Sequence, residues 1–229
     1  MPRKKKEEIK EAEIKEDLET TKSNPKEKEK KKEYANFWQR LVAFIIDAFI
    51  ISMVTSLISQ PFIKTDNIQK LSDETYKTIE EYQNKKIDIK TYVNRTSDIS
   101  YDMAKESGLT SIITIAIAVI YYVIYQLKSN GQTLGKKIMK IKVIKQDDGE
   151  LTMNDMLFRA FLSNAIIFDI VILCFTLFTS KNVYFYGVGL FQGIEYLTIF
   201  ISCIMILSSS TKQAIHDKLV KTEVIKVEE

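Results

Sequence analysis

"LTSIITIAIAVIYYVIYQL", residues 109–127, decides the fold. The run carries no charge and is apolar on every face, so no side of a helix built from it suits water. One crossing of a bilayer takes about 20 predominantly apolar residues, and this run has that length. Three more stretches match it. "FWQRLVAFIIDAFIISMVTSLIS" opens a stretch over about 38–62 that ends near Pro61. "MLFRAFLSNAIIFDIVILCFTLF" covers about 156–178, and "YGVGLFQGIEYLTIFISCIMIL" about 186–207. The sequence therefore predicts an all-α membrane protein with four transmembrane helices. Trp38, Tyr121, Tyr122, Tyr125, Tyr184 and Tyr186 stand near the predicted ends, where interfacial aromatics sit.

The chain has 229 residues, 45% hydrophobic and 28% charged, and these averages hide a sharp segregation. Residues 1–36 are charged and polar, and read as a disordered cytoplasmic tail. The competing reading is a helix that docks on a partner or on anionic lipid. Residues 37–229 form the membrane domain. About forty residues precede the first apolar run, which lacks a small-residue cleavage site, so it reads as a retained span rather than a signal peptide. Cys174 and Cys203 fall near opposite membrane faces if the spans run antiparallel, and are expected as free thiols.

Lysine and arginine set the orientation. They crowd the segment before the first span, the 128–155 loop and the 208–229 tail, whereas the 179–185 loop has only Lys181. Both termini and the 128–155 loop are thus expected in the cytoplasm of a multi-pass plasma-membrane protein. The 64–108 insert then lies outside. In it, Ile68, Leu71, Thr75, Ile79 and Tyr82 follow helical spacing, as do Ile89, Tyr92, Thr96, Ile99 and Met103. They predict an outward helical hairpin between spans one and two, with Asp88 as a helix cap. In the cytoplasmic loop, "KIKVI" alternates like a strand, "DDG" is a turn signal and "ELT" resumes, which predicts a small β-hairpin. Thr152 or Asn154 caps the helix that follows.

Within that loop, "SNGQTLGKKIMKIKVI" (129–144) looks at first like a phosphate loop. The spacing excludes it. A Walker-type loop needs four residues between its glycines and a hydroxyl after the lysine. Gly131 and Gly135 have three residues between them, and Lys137 takes the hydroxyl position. No nucleotide, cofactor, metal or nucleic-acid site emerges from the chain. No nucleophile–base pair does either, so an enzyme is not expected. His216 is the only histidine, and zinc needs several ligands.

Ionisable residues inside spans cost about 2.5–3.5 kcal/mol each at the bilayer centre on insertion scales, and are functional candidates. Asp47, Asp169 and Glu195 qualify. Staggered in depth, they form a ladder of carboxylates if they face one interior. The alternative is helix-to-helix glue. Arg40 lies seven residues before Asp47, about 10 Å along the helix. Arg40, Lys136, Arg159, His216 and Asp217 all fall near the cytoplasmic surface.

Taken together, these positions resemble the RDD family of bacterial integral membrane proteins, named for an arginine and two aspartates. "RLVAFIID" (Arg40–Asp47) is similar to the family's first-span motif. "GQTLGKKIMKIKVI", with Gly131, Thr133, Gly135 and Lys136, resembles its cytoplasmic turn, and Arg159 follows at the next span. "HDKLVKTEVI" (His216–Ile225) resembles its closing motif. Lys140 stands where relatives commonly carry glycine, and Val220–Lys221 where they carry Ala-Gly. The resemblance covers roughly 37–60 and 109–226. It implies a membrane location and suggests transport.

Two functions are therefore expected to compete. One is a small proton- or cation-coupled transporter acting as an oligomer, with Asp47 as coupling carboxylate and Arg40 and Arg159 tuning it. The other is a non-transporting assembly protein that binds other membrane proteins through its tail and hairpin.

Overall fold

The computed structural model describes residues 32–164 and 166–227. The expected tail falls largely outside the described residues. Its last residues depart from the expectation: Tyr34 bridges Ile225, Ala35 is fully buried and donates its N–H to Val224 O at 2.9 Å, and Asn36 caps the first helix.

Helix α1 (Phe37–Ser59) starts with a capping box, Asn36 Oδ1 accepting from Gln39 N–H at 2.8 Å and Gln39 Oε1 from Asn36 N–H at 3.1 Å. A 3₁₀ turn holding Pro61 ends it. Its buried residues recur every fourth position: Ala43, Asp47, Ile51, Thr55 and Ser59. Small and polar side chains thus face the neighbouring helices, while Phe44, Ile45 and Phe49 face outward, the pattern that lipid imposes.

The hairpin forms as the spacing predicts, as α2 (Thr65–Gln83) and α3 (Ile89–Glu106). Asp88 caps α3 by accepting from Thr91 N–H at 2.8 Å, and Tyr82 stacks on Tyr92. Only Ser107 separates α3 from α4 (Gly108–Lys128), which carries a π segment at Ile120–Tyr125.

At the other end of α4 come α5 (Leu134–Ile138) and β1 (Ile141–Lys145). The strand finds a different partner from the one expected. "ELT" does not pair; Thr152 instead caps α6 (Met153–Ser163) with a capping box to Asp155. β1 pairs antiparallel with β2 (Thr222–Lys226), from the C-terminal tail, with Val143 opposite Val224. An isolated two-stranded ribbon is marginal in water. This one buries Ile141, Val143, Thr222 and Val224 against Met156 and Ala160 of α6, so tertiary packing selects the distant strand.

The third span also differs from expectation. It is a bent pair, α6 and α7 (Ile166–Phe178), meeting at 67°. The polar residues Ser163 and Asn164 stand at the break. The 13 residues of α7 reach only about 20 Å, short of a bilayer. Among the described residues three helices are long and apolar enough to cross: α1 with its 3₁₀ turn, α4, and α8 (Lys181–Ser208). Only 6% of the most apolar window of α8 is buried, which suits lipid and not water.

The bent pair is a fourth candidate span, taken as one passage. It leaves the sheet and ends beside the hairpin, where Tyr101 donates to Thr179 O at 2.9 Å and Lys181 pairs with Asp102 at 2.9 Å. The chain therefore runs from a sheet end to a hairpin end in α1, back in α4, out in α6–α7 and back in α8, closing with α9 (Ile215–Leu219) and β2.

This path divides into two like halves. Each is two passages followed by a five-residue helix, a left-handed lysine and a five-residue strand. With an offset of 81 residues, Gln132, Lys137, Lys140, Val143, Ile144 and Lys145 match Gln213, Lys218, Lys221, Val224, Ile225 and Lys226. Gln132 Nε2 donates to Ile141 O at 3.0 Å and Gln213 Nε2 to Thr222 O at 2.9 Å. Lys140 has φ +52° and Lys221 φ +54°. Both occupy the left-handed region glycine enters most easily, at the positions where this chain departs from the glycine of the pattern. In the outward passages Arg40 precedes Asp47 by seven residues and Arg159 precedes Asp169 by ten, the extra residues falling at the bend.

Candidate functional site

Two buried carboxylates organise the sheet end. Asp47, 2% exposed, accepts from Tyr121 Oη at 2.6 Å, Thr133 Oγ1 at 2.6 Å and Gly135 N–H at 2.7 Å. Thr133 also caps α5 by accepting from Lys136 N–H, and Tyr121 Oη accepts from Leu134 N–H at 3.0 Å. The glycine loop is thus a dock for the α1 aspartate. Gly135 must be glycine, since a Cβ there would lie 2.2 Å from Ala43 O and 2.8 Å from Asp47 Oδ1. Gly131 has φ +80°, and a Cβ would meet Val143 O at 2.2 Å.

Asp217 is the second centre, fully buried. It accepts from Arg40 Nη1 at 2.5 Å, from Arg159 Nη1, and from Ala214 N–H at 3.0 Å. Arg159 Nη1 also donates to Thr222 Oγ1 at 2.7 Å, which ties α6 to β2. The arginines expected to tune Asp47 are therefore both committed to Asp217. Burial alone would raise the Asp217 carboxyl, but Arg159, with Arg40, outweighs it and holds the group well below the usual carboxylate range.

His216 sits with Nε2 3.5 Å from Asp217 Oδ1, its side chain 17% exposed. Burial pushes its imidazole down to about 3 despite Asp217, and Arg159 and Arg40 add to the effect, so it is neutral near pH 7. Lys136 is pushed down to about 8, first by burial and then by Arg159, against Asp47 and Asp217. Among the described residues no hydrogen bond or ion pair holds its ammonium.

The three intramembrane acids do not share one cavity. A cavity of about 320 Å³ at the sheet end is lined by Arg40, Asp47, Lys136, Arg159, His216 and, at its far end, Glu195. A second, of about 170 Å³, runs from the hairpin end past Ala104, Ser111, Thr114 and Thr176 to Asp169. Ser111, Thr114 and Thr176 line it and donate to carbonyls one turn back along the chain, which leaves the Ser111 and Thr114 hydroxyls with acceptor capacity. Neither Glu195 nor Asp169 has a hydrogen-bond or ion-pair partner among the described residues. Of these acids only Asp47 is docked by donors among the described residues.

Tyr121 and Thr222 were not singled out as site residues from sequence. Tyr121 reads as an interfacial aromatic but holds Asp47, and Tyr122 and Tyr184 are buried, 5% and 7% exposed. Trp38 and Tyr186 are largely exposed. An aspartate inside an apolar helix demands donors, which is the one signal that points to Tyr121. The cysteines are free thiols. Among the described residues no three His, Cys, Asp or Glu side chains gather to hold a metal ion.

Fold and site define a helical membrane protein whose passages are tied together at one end by two buried aspartates. The model of the RDD family matches residues 34–221, and the chain belongs to that family. No curated protein and no solved structure matches it.

Proposed function

We propose that this RDD family protein is a small proton- or cation-coupled transporter in which Asp169 and Glu195 are the coupling carboxylates. One observation carries the reading: two cavities lie toward opposite ends, and each is lined by a carboxylate, Glu195 or Asp169, that has no partner among the described residues. A carboxylate without protein donors leaves both oxygens open to a proton, a cation or water in the cavity. The Asp47 oxygens are already occupied by three protein donors, which moves the coupling role from Asp47 to Asp169. Hydroxyl lone pairs in the hairpin-end cavity suit water or a small cation. The two like halves support the reading too, since many transporters pair parallel repeats and carry ions where the repeats meet.

The protein acts without enzymatic chemistry, as a homo-oligomer in the plasma membrane, with the lysine-rich sheet end and both termini in the cytoplasm. The assembly reading is weaker, because the inner half of α3 is already packed on α7 and α8 through Tyr101 and Tyr184.

The test is ion flux into proteoliposomes under imposed proton, sodium and potassium gradients. Asp169→Asn and Glu195→Gln are each expected to lower the rate at least tenfold while the protein stays inserted and keeps its melting temperature. Wild-type rates in both variants would sink the proposal.

A further inference from the structure

Arg40 does not use all of its guanidinium. Its Nη1 holds Asp217, while Nε and Nη2 are buried with no hydrogen-bond partner among the described residues. Two N–H donors left bare in a protein interior are costly, and Nε with Nη2 is the edge of the fork that grips a phosphate or carboxylate bidentately. Arg40 lines the sheet-end cavity, and so does Lys136, whose ammonium has no partner among the described residues. Arg40, Lys136 and Arg159 thus stand against two carboxylates, Asp217 and Asp47, and His216 is neutral. The three neutral donors occupy the Asp47 oxygens and leave its charge in place, so one cation is in excess. Glu195 lies about 16 Å away along α8 from Ile206, at the far end of the cavity. The sheet end of the cavity is therefore short of negative charge.

The remaining wall is apolar. Phe37, Leu41 and Phe44 of α1 face Ile199, Cys203 and Ile206 of α8. Phe44 and Ile199 are each 50% exposed, at the edge where the cavity meets the lipid-facing surface. A cationic head beside an apolar, lipid-level wall fits a molecule with an anionic head and a hydrocarbon tail. A small hydrated anion would leave that wall unmatched.

We propose that the sheet-end cavity binds an anionic phospholipid, its phosphate held by Arg40 Nε and Nη2 and Lys136 Nζ and its acyl chain lying between α1 and α8. The bound phosphate satisfies the orphan donors and neutralises the excess charge beside the Asp217 hub. This binding does not depend on the transport reading, because it is measured without any gradient.

The experiment titrates full-length protein in detergent with phosphatidylglycerol, phosphatidylcholine, diacylglycerol and inorganic phosphate, following melting temperature and bound lipid by native mass spectrometry. Lys136→Gln and Lys136→Arg are compared with wild type. Lys136 has no partner to orphan, so both variants are expected to fold. Phosphatidylglycerol is expected to bind and stabilise, with phosphatidylcholine and diacylglycerol much weaker. Lys136→Gln should weaken phosphatidylglycerol about tenfold, and Lys136→Arg should largely retain it. Equal binding of phosphatidylglycerol and phosphatidylcholine, or undiminished binding by Lys136→Gln, would overturn the assignment. So would stabilisation by inorganic phosphate alone with no lipid retained, which would mark a soluble anion as the occupant.

Discussion

Asp217→Ala is expected to destabilise the domain by about 3–5 kcal/mol, the range seen when one partner of a buried ion pair is removed. The variant leaves two guanidiniums, Arg40 and Arg159, with side chains 11% and 7% exposed and no counter-charge. It also strips the acceptor from Ala214 N–H at the start of α9. The three elements joined through Asp217 are α1, α6 and the α9–β2 tail, so the loss should spread beyond the tail. The measurement is the melting temperature of purified protein in detergent, with Asp217→Asn beside it. The asparagine keeps an acceptor but no charge, and should fall between wild type and alanine. A melting temperature for Asp217→Ala equal to wild type would show that the arginines find water or lipid instead.

Gly135→Ala should be the second most damaging change, for a steric reason. The new methyl would stand 2.2 Å from Ala43 O and 2.8 Å from Asp47 Oδ1. The first is backbone inside a helix and cannot swing aside. The α5 turn must lift off α1, which breaks the Gly135 N–H and Thr133 hydroxyl bonds to Asp47 together. Overpacking of this kind costs about 1–3 kcal/mol, occasionally more, and the lost bonds to a charged acceptor add to it. Gly193→Ala is the control. Nothing lies within 4 Å of a Cβ there, on α8, so its effect should be near zero. Equal losses from the two substitutions would contradict the docked loop.

The membrane class, the hairpin and its Asp88 cap were legible because each depends on local pattern: hydropathy, helical spacing, one capping side chain. The partner of β1 was not. "KIKVI" announces a strand, but nothing near it says that its mate lies about 80 residues on. The bend after Ser163 was hidden because the apolar count over 156–178 passes for a span, and only Arg159 and Asn164 argue against continuity. The site was half legible. Arg40, Arg159 and Asp217 stand out by charge, but which carboxylate the arginines choose is tertiary. The two halves escaped notice because the hairpin interrupts the first and the bend the second, leaving six matching residues in one short segment as the trace.

The account turns on two cavities, one toward the sheet end and one toward the hairpin end, which the transport reading requires to be reached from opposite faces of the membrane. In a chain with Cys174 and Cys203 replaced by serine, single cysteines at Ser202 and Thr114 place one thiol in each cavity. Membrane-impermeant thiol reagents applied to each side of oriented vesicles should label Ser202→Cys from the cytoplasmic side only and Thr114→Cys from the other side only. Labelling of both from one face, or of neither from any face, would contradict the two-cavity account and the transport reading built on it.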